Sequence, residues 1–423
     1  MAIDKSKIEY VIGIDLGHGE TSAAYFPLQW DQPLNKLTNA NDKDIDLGGG
    51  SNKVIPSAIA IKKDGKVLIG ESALETERIQ DSEVHVCFKK RPTDINGENE
   101  QLMIKYMRAV YQKVRYQVGA DLTDDNHVVV IACPSGWNEN ERTIYCSMAK
   151  EAGIPIVNII KESRAAYIKQ KDDPNSSVRK NMEKGVIVFD MGSSTLDLSY
   201  LAPGSDENST IDNGYDCGAS MVEQILFDQC EKNGEGIKKL RSSYPNLIDK
   251  VRYEFRKCKE DYFRKEGSSS ATVNIYLDEN FTGDEDLNCR INFKVKAGKM
   301  EEILLENGYI DKIREHLLHY KNTFIPEKPI YGVLMTGGAS RMDFLKKIIQ
   351  ECWGVTEDRI SRDQDPSLTI SRGVAVAARK DLRSEDANTD LKPLFEQING
   401  NAVYDTFVEI FGSFMYEKIE EKL

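Results

Sequence analysis

Apolar runs joined by a glycine-bearing turn open the chain. Residues 10–14 are mostly apolar and lead into Asp15-Leu-Gly17, and a second run covers residues 22–26. Two strand-like runs about a short glycine turn are typical of a β-hairpin. The pattern therefore predicts an N-terminal hairpin with an aspartate at the end of its first strand.

The same pattern returns near the middle of the chain. Residues 186–189 are apolar and lead into Asp190-Met-Gly192, a small polar turn and a second apolar run at 198–201. Asp15 and Asp190 occupy matching positions in the two copies. This internal repeat predicts two similar lobes, each of which contributes one hairpin to a shared site.

Strand-like and helix-like segments alternate through the rest of the chain. The predicted strands are residues 57–61, 66–69, 127–133, 154–160, parts of 271–296, and 330–335. The predicted helices are residues 71–82, 98–118, 138–150, 162–171, a helix opened by a capping box at 220–223, 246–266, 299–320, one that begins near 342, and 368–379. Alternation of this kind predicts an α/β protein.

Net charge and length narrow the class of protein. The chain has 423 residues, with 56 Lys+Arg against 69 Asp+Glu and a net charge of −13. A protein that grips nucleic acid or an anionic membrane needs a basic face, so we expect neither as a partner. The length exceeds that of one compact core and predicts two or more domains.

Cysteine usage and hydropathy favour a cytoplasmic protein. The eight cysteines contain no C-x-x-C pair. No apolar run approaches the roughly 18–20 residues of a membrane span, and the polar N-terminus lacks the apolar core of a secretory signal. We therefore expect reduced cysteines in a cytoplasmic chain.

The two Asp-x-Gly turns have the chemistry of phosphate-binding hairpins. Glycine lets the backbone approach a phosphate and leaves N–H groups to donate to it. An aspartate at each strand end can hold the waters of Mg²⁺. A single turn of this kind is an ordinary tight turn as often as it is a phosphate-binding hairpin. Here, however, a third glycine turn, Gly337-Gly338, opens a helix and suits a nucleoside and its phosphates.

These motifs resemble those of the nucleotide-binding domain of the 70-kDa heat-shock chaperones, in the actin-like ATPase superfamily. The phosphate motifs are similar at residues 12–17 and 189–197, and the adenosine motif at 336–341. Pro134 resembles the family's proline switch, and residues 159–166 resemble the segment whose glutamate, here Glu162, senses the γ-phosphate. The resemblance covers about residues 9–382 in family order.

The resemblance implies an α/β actin-like fold with two ribonuclease H-like lobes around a cleft for Mg-ATP. Lobe I would span residues 1–183 with an inserted subdomain at about 39–106, and lobe II residues 184–383 with an insertion at about 223–298. Residues 384–423 would be a C-terminal tail. The family's peptide-binding domain is not expected in so short a remainder.

The resemblance also implies site roles, residue by residue. Asp15, Asp190, Glu162 and Thr195 would be catalytic, with Asp15 and Asp190 serving Mg²⁺. Nucleotide-binding residues would be Gly17, His18, Gly19, Gly192, Ser193, Ser194, Gly218, Ala219, Arg264, Gly337, Gly338 and Arg341.

Several positions depart from the family pattern. Two threonines of the first phosphate loop are replaced by His18 and Gly19, and Leu74 stands where the family has its catalytic lysine. An apolar side chain cannot neutralise charge on the γ-phosphate; Lys89, Lys90 or Lys161 would have to reach the site instead. We expect ATP binding to survive better than turnover.

Three functions remain open at this stage. The first is a slow chaperone-type ATPase, with ATP or ADP and Mg²⁺ as ligands. The second is a nucleotide-binding regulator that does not hydrolyse ATP. The third is another actin-fold protein, such as a sugar kinase or a filament former. The family's partners would be a J-domain protein, a nucleotide exchange factor and a peptide-binding domain, and we expect a monomer.

Overall fold

The computed structural model describes residues 7–32, 42–50, 52–74, 82–173, 176–205, 209–244, 247–278 and 289–397. Its strands are β1 (Tyr10–Leu16), β2 (Glu20–Pro27), β3 (Lys43–Asp44), β4 (Val54–Pro56), β5 (Ala58–Lys62), β6 (Val67–Ile69), β7 (Ser82–Val86), β8 (His127–Cys133), β9 (Ile156–Lys161), β10 (Val186–Met191), β11 (Leu196–Leu201), β12 (Thr210–Tyr215), β13 (Ala271–Leu277), β14 (Cys289–Val295), β15 (Gly332–Thr336) and β16 (Ile360–Arg362).

Helices connect and cover these strands. They are α1 (Glu71–Leu74), α2 (Gly97–Val118), α3 (Glu139–Glu151), α4 (Glu162–Asp172), α5 (Ser220–Asn233), α6 (Glu235–Ser243), α7 (Ile248–Arg264), α8 (Met300–Glu306), α9 (Tyr309–Thr323), α10 (Phe344–Trp353) and α11 (Thr369–Gln397).

The first sheet has six strands in the order β3-β2-β1-β8-β9, with β4 also paired to β2. β1 runs antiparallel to β2 and parallel to β8. β8 is buried along its whole length and consists of apolar residues after His127, as expected for a parallel strand covered on both faces. Its bounds are those predicted from the sequence.

The second sheet repeats this arrangement in the order β12-β11-β10-β15-β16. Here β10 runs antiparallel to β11 and parallel to β15, as β1 does with β2 and β8. Asp190 pairs with Asp197 across the hairpin, at the position where Asp15 pairs with Ser22. The internal repeat in the sequence thus corresponds to a repeated sheet topology.

Two smaller sheets lie within the segments predicted as insertions. β5 pairs antiparallel with both β6 and β7, and the β5–β6 hairpin turns at Asp64-Gly65 as predicted. β13 pairs with β14.

α4 and α11 pack together in the core shared by the two sheets. One hydrophobic cluster contains Val11 and Val128 of the first sheet, Val188 of the second, and Val374 of α11. The helices approach closely at Gly373, where a Cβ would lie 2.1 Å from the Ala165 carbonyl oxygen. Only glycine permits this approach.

Several predicted elements differ from the structure. The helix predicted at 71–82 is wrong at its end, because α1 ends at Leu74 and Ser82 begins the strand β7, where it pairs with Lys62. The predicted helix at 299–320 is two helices, because Gly308 adopts a left-handed φ of 73° between α8 and α9. The predicted capping box at 220–223 is wrong: Ala219 is the N-cap of α5, without a side-chain cap. α11 continues past Arg379 to Gln397. The rest of the predicted tail, residues 398–423, lies outside the described residues.

Candidate functional site

A cleft of about 1080 Å³ lies where the two hairpins face each other. Most residues predicted to form the site line this cleft. They are Asp15, Gly17, His18, Gly19, Glu162, Asp190, Gly192, Ser193, Ser194, Thr195, Ala219, Arg264, Gly337, Gly338 and Arg341. Gly218 instead lies behind the second hairpin, where a Cβ would sit 2.2 Å from the Ser193 carbonyl oxygen.

Side chains from distant elements hold the first hairpin. The Ser57 hydroxyl donates to the Gly17 carbonyl at 2.6 Å, and the Ser57 N–H donates to the Gly19 carbonyl at 2.8 Å. Arg256 of α7 donates to the same Gly19 carbonyl at 2.5 Å and to Glu20 at 2.8 Å. The turn is therefore fixed by residues that lie far from it in the chain.

Backbone bonds hold the second hairpin. Gly192 donates to the Thr195 carbonyl at 3.0 Å, which closes the turn. The N–H groups of residues 218–220 then donate to the carbonyls of Ser194, Gly192 and Ser193, at 3.0, 3.0 and 2.8 Å. Ser220 therefore contributes its backbone to the hairpin rather than a cap to α5.

The third glycine turn lies against the second hairpin. Gly337 has a left-handed φ of 79°, and a Cβ there would lie 2.5 Å from Asp190 Oδ1. A Cβ at Gly338 would lie 3.1 Å from Glu20 Oε2 of the first hairpin. The Arg341 guanidinium donates to the Ser367 hydroxyl at 3.1 Å. The turn thus joins both hairpins at one end of the cleft.

Four carboxyl groups lie in the cleft: Asp190 and Asp197 are buried, and Asp15 and Glu162 are half-buried. Burial raises the pKa of Asp15 and of Asp197 to about 6. The pKa values of Glu162 and Asp190 are raised well above their usual range, first by burial and then by neighbouring aspartates. Such a group of mutually repelling carboxyls favours a cation or a proton in its midst.

The donor set fits Mg²⁺ held in part by water and phosphate. Among the described residues, no group of three or more His, Cys, Asp or Glu side chains is placed to hold a metal ion. Mg²⁺ commonly keeps several waters and is bound through one or two carboxylates together with phosphates. Asp15 and Asp190, which share the cleft at the ends of β1 and β10, suit that mode.

Glu162 connects the cleft to the strands beneath it. It is the first residue of α4, and the next residue, Ser163, donates its N–H to the Ser135 hydroxyl at 3.0 Å. Pro134, beside Ser135, also lines the cleft. The start of α4, where Glu162 lies, is thereby hydrogen-bonded to the segment after β8.

Thr195 and Arg264 are already engaged with neighbouring side chains. The Thr195 hydroxyl donates to Asp197 at 2.6 Å, so only its lone pairs are left for a ligand. Arg264 ends α7, with its side chain two-thirds exposed, and pairs with Asp261 at 2.7 Å. Phe263 lines the cleft beside it.

The structure distinguishes the three lysines proposed for the missing charge. Lys161 forms an ion pair with Asp212 at 2.7 Å, which joins β9 to β12. Lys90 lines the cleft but is exposed, whereas Lys89 lies deeper, with Nζ 2.5 Å from the Leu16 carbonyl oxygen.

Sequence reasoning did not find Arg256. Its spacing of four residues from Glu260 indicates only a charged helix face. Its contact with the first hairpin depends on how α7 packs against a segment more than 200 residues away. No local pattern encodes that contact.

Comparison with known proteins adds independent information. The Hsp70 protein family model matches residues 93–392. The Chaperone protein DnaK of Thermoplasma acidophilum is 24% identical over 385 residues, covering 86% of this chain and 57% of the relative. The Chaperone protein DnaK of Cenarchaeum symbiosum is 24% identical over 401 residues, covering 91% and 57%. The chain thus spans 57% of the length of these relatives.

Proposed function

Because the chain belongs to the Hsp70 family and has its actin-like α/β fold, we propose that it binds Mg-ATP in the cleft and hydrolyses it slowly to ADP and phosphate. The observation that carries this proposal is the placement of Asp15, Asp190 and Glu162 in one cleft between two facing glycine hairpins. The output would be closure of the two lobes, as in a chaperone of the 70-kDa heat-shock type.

The proposed roles follow the position of each group. Backbone N–H groups of residues 17–19 would bind the β-phosphate, and those of residues 192–195 the γ-phosphate. Asp15 and Asp190 would hold Mg²⁺ through water, and the ion would neutralise phosphate charge. Gly337, Gly338, Arg341 and Arg264 would line the nucleoside, with Gly218 and Ala219 bracing the loop beside it.

The chain's own carboxyls would handle the proton of the attacking water. In hydrolysis, the water oxygen forms a bond to the γ-phosphorus while the bond to the bridging oxygen breaks and ADP departs. Asp190 or Glu162, both of which line the cleft, would accept the proton of that water as a carboxylate. Thr195, held by Asp197, would orient the transferred phosphate.

We propose the lobe boundaries given by the sequence, with lobe I at residues 1–183 and lobe II at 184–383. Their support is that the first sheet lies wholly within the first range and the second sheet within the other. The insertions at about 39–106 and 223–298 would hold the two smaller sheets.

The proposed partners are a J-domain protein, a nucleotide exchange factor and a peptide-binding domain, acting on a cytoplasmic monomer. Family membership supports these partners. No helix among the described residues is both long and apolar enough to cross a membrane. Light scattering after size exclusion would test the monomer, and a dimer that persists at low concentration would contradict it.

A single-turnover experiment with Mg-ATP tests the function. We expect nucleotide binding and slow phosphate release in the wild type, and a loss of release by about 10²-fold or more in Asp190→Asn. Asp216→Asn is the matched control, because Asp216 lines the same cleft but is exposed. Binding without release would favour the regulator. A failure to bind nucleotide would overturn the proposal.

A further inference from the structure

The leucine at the family's lysine position lies outside the cleft. Leu74 ends α1 and is buried in a small apolar cluster with Ala58, Ala60 and Ala73. A lysine there would have to leave that cluster to reach a phosphate. The charge that phosphoryl transfer needs must therefore come from another position.

Lys89 enters the cleft from the segment that follows β7. Cys87, directly after the end of the strand, has a left-handed φ of 55°, which is uncommon for a residue other than glycine. Phe88 then anchors the segment, since it is buried and packs edge-on against Tyr106 at 5.0 Å. The next residue, Lys89, consequently points into the cleft.

The ammonium group of Lys89 is held at the base of the first hairpin. Nζ donates to the Leu16 carbonyl at 2.5 Å and lies 5.5 and 5.6 Å from the ring centres of Trp137 and Tyr145. An ammonium has three N–H donors, so two are left for an anion. Unlike Lys161, Lys89 forms no ion pair with any residue in the described parts of the chain.

Lys89 shares the cleft with the four carboxyl groups. Asp15, Glu162, Asp190 and Asp197 line the same cleft as Lys89, together with both hairpins. The ammonium group therefore lies in the space where a γ-phosphate would be held.

His18 clamps the backbone of the same lysine. Its Nδ1 lies 3.1 Å from the Lys89 carbonyl oxygen, and because a carbonyl only accepts, Nδ1 must carry the hydrogen. Burial lowers the pKa of His18 to about 4, so the ring is neutral at physiological pH. His18 therefore positions Lys89 rather than adding a charge of its own.

We propose that Lys89 is the cationic catalytic residue of this ATPase and that His18 is its positioning residue. Lys89 would supply the positive charge that Leu74 lacks, and the departure from the family pattern at His18 would serve to hold Lys89 in place. The inference rests on the proposed function. Lys89 would donate hydrogen bonds to γ-phosphate oxygens. The water proton would pass to a cleft carboxylate, and the electron pair of the broken bond would leave with ADP.

The first test is Lys89→Met, which keeps the apolar stem between Trp137 and Tyr145 and removes the charge. Lys90→Met is the matched control, because Lys90 lines the same cleft but is exposed. We expect single-turnover phosphate release to fall about 10²-fold in Lys89→Met and to change less than about twofold in Lys90→Met. The dissociation constant for ATP should change by less than about fivefold in both.

The outcomes separate this inference from the function on which it rests. Release at the wild-type rate in Lys89→Met, with release intact in the wild type, would overturn the role of Lys89 alone. Loss of ATP binding in a folded Lys89→Met would make Lys89 a binding residue and also overturn it. Absence of release in the wild type would overturn the proposed hydrolysis, and the catalytic role with it.

The second test measures the coupling of His18 to Lys89. We expect His18→Ala to slow release about tenfold, and to have no further effect in the Lys89→Met background, because residues that act through one another are not additive. His18→Asn, which retains an N–H donor, should recover part of the rate. Additive losses in the double variant would overturn the positioning role.

Discussion

The two glycine hairpins share a topology but are held by different parts of the molecule. The second hairpin is fixed by backbone bonds from residues 218–220, which follow it within the same sheet region. The first hairpin is fixed by Ser57, Lys89 and Arg256, which come from the segments around the smaller sheets and from α7. One hairpin is thus braced locally, and the other depends on elements that are distant in sequence.

Because they are held differently, the two similar turns respond differently to movement of the elements around them. A backbone-braced hairpin keeps its shape when other elements move, because its partners move with it. A hairpin held by side chains of distant elements changes whenever those elements shift. The second hairpin is therefore held independently of α7 and of the segments around the smaller sheets, whereas the first hairpin is tied to them.

The largest loss of stability is expected from a substitution at Gly218, beside the second hairpin. A Cβ there would meet backbone atoms of Ser193 and Ser194 at 2.2–2.4 Å, and backbone cannot swing aside. We expect Gly218→Ala to lower the free energy of unfolding by about 3 kcal/mol, measured by denaturant unfolding. Gly19→Ala is the partner test in the first hairpin. Its contacts are side-chain atoms of Ser193 and Arg256 at 2.8–3.1 Å, so we expect a loss of about 1 kcal/mol. Equal losses would contradict the contrast.

A smaller effect is expected when the distant brace of the first hairpin is removed. Arg256→Gln would leave Glu20 and the Gly19 carbonyl without their shared donor. We expect a loss of roughly 2 kcal/mol in unfolding free energy and faster ADP dissociation in stopped flow. Lys257→Gln is the control, because Lys257 is exposed on the same helix and its contacts are with Glu254 and the Tyr253 ring, one turn away. An unchanged ADP off-rate in Arg256→Gln would argue against the proposed link.

The smallest effect is expected in the pH dependence of the unfolding free energy, through Asp197 of the second hairpin. The pKa of Asp197 is about 6 in the folded protein, raised by burial, against an ordinary 3.8. A raised folded pKa contributes stability that is fully present below the unfolded pKa and is lost as pH rises through the folded one. Between pH 5 and 7.5 the wild type should therefore lose about 1 kcal/mol relative to Asp197→Asn. Parallel stability curves for the two proteins over this range would count against the buried, ionisable Asp197.

Local pattern was enough to predict the elements that carry the site. The hairpin at Asp15, the strand β8 and the Asp64-Gly65 turn all follow from apolar runs and turn residues that act over a few positions. The strand β12 was missed because Thr-Ile-Asp-Asn-Gly-Tyr is largely polar, and only its pairing with β11 makes it a strand. The break at Gly308 was missed because the apolar spacing continues across it.

The residues of the site likewise divide into those that short motifs reveal and those that only packing between distant segments brings into place. Asp15, Asp190 and the glycines belong to short motifs, so their positions in the chain are visible in the sequence. Lys89 was one of three lysines that the sequence left open, and only the fold shows which of them lies against the first hairpin. Contacts such as that of Arg256 depend on packing between distant segments, which no short motif records.

The place of α11 in the fold has a consequence for synthesis of the protein. Val374 and its neighbours on this helix pack with Val11 and Val128, so they cover a face of a sheet whose last strand ends at residue 161. About 200 residues separate that strand from the start of α11 at residue 369. At roughly 5–20 residues per second, a ribosome needs about 10–40 s to make them. For that time this face of the sheet lacks one of its two covering helices, and transiently exposed apolar surface of this kind promotes aggregation.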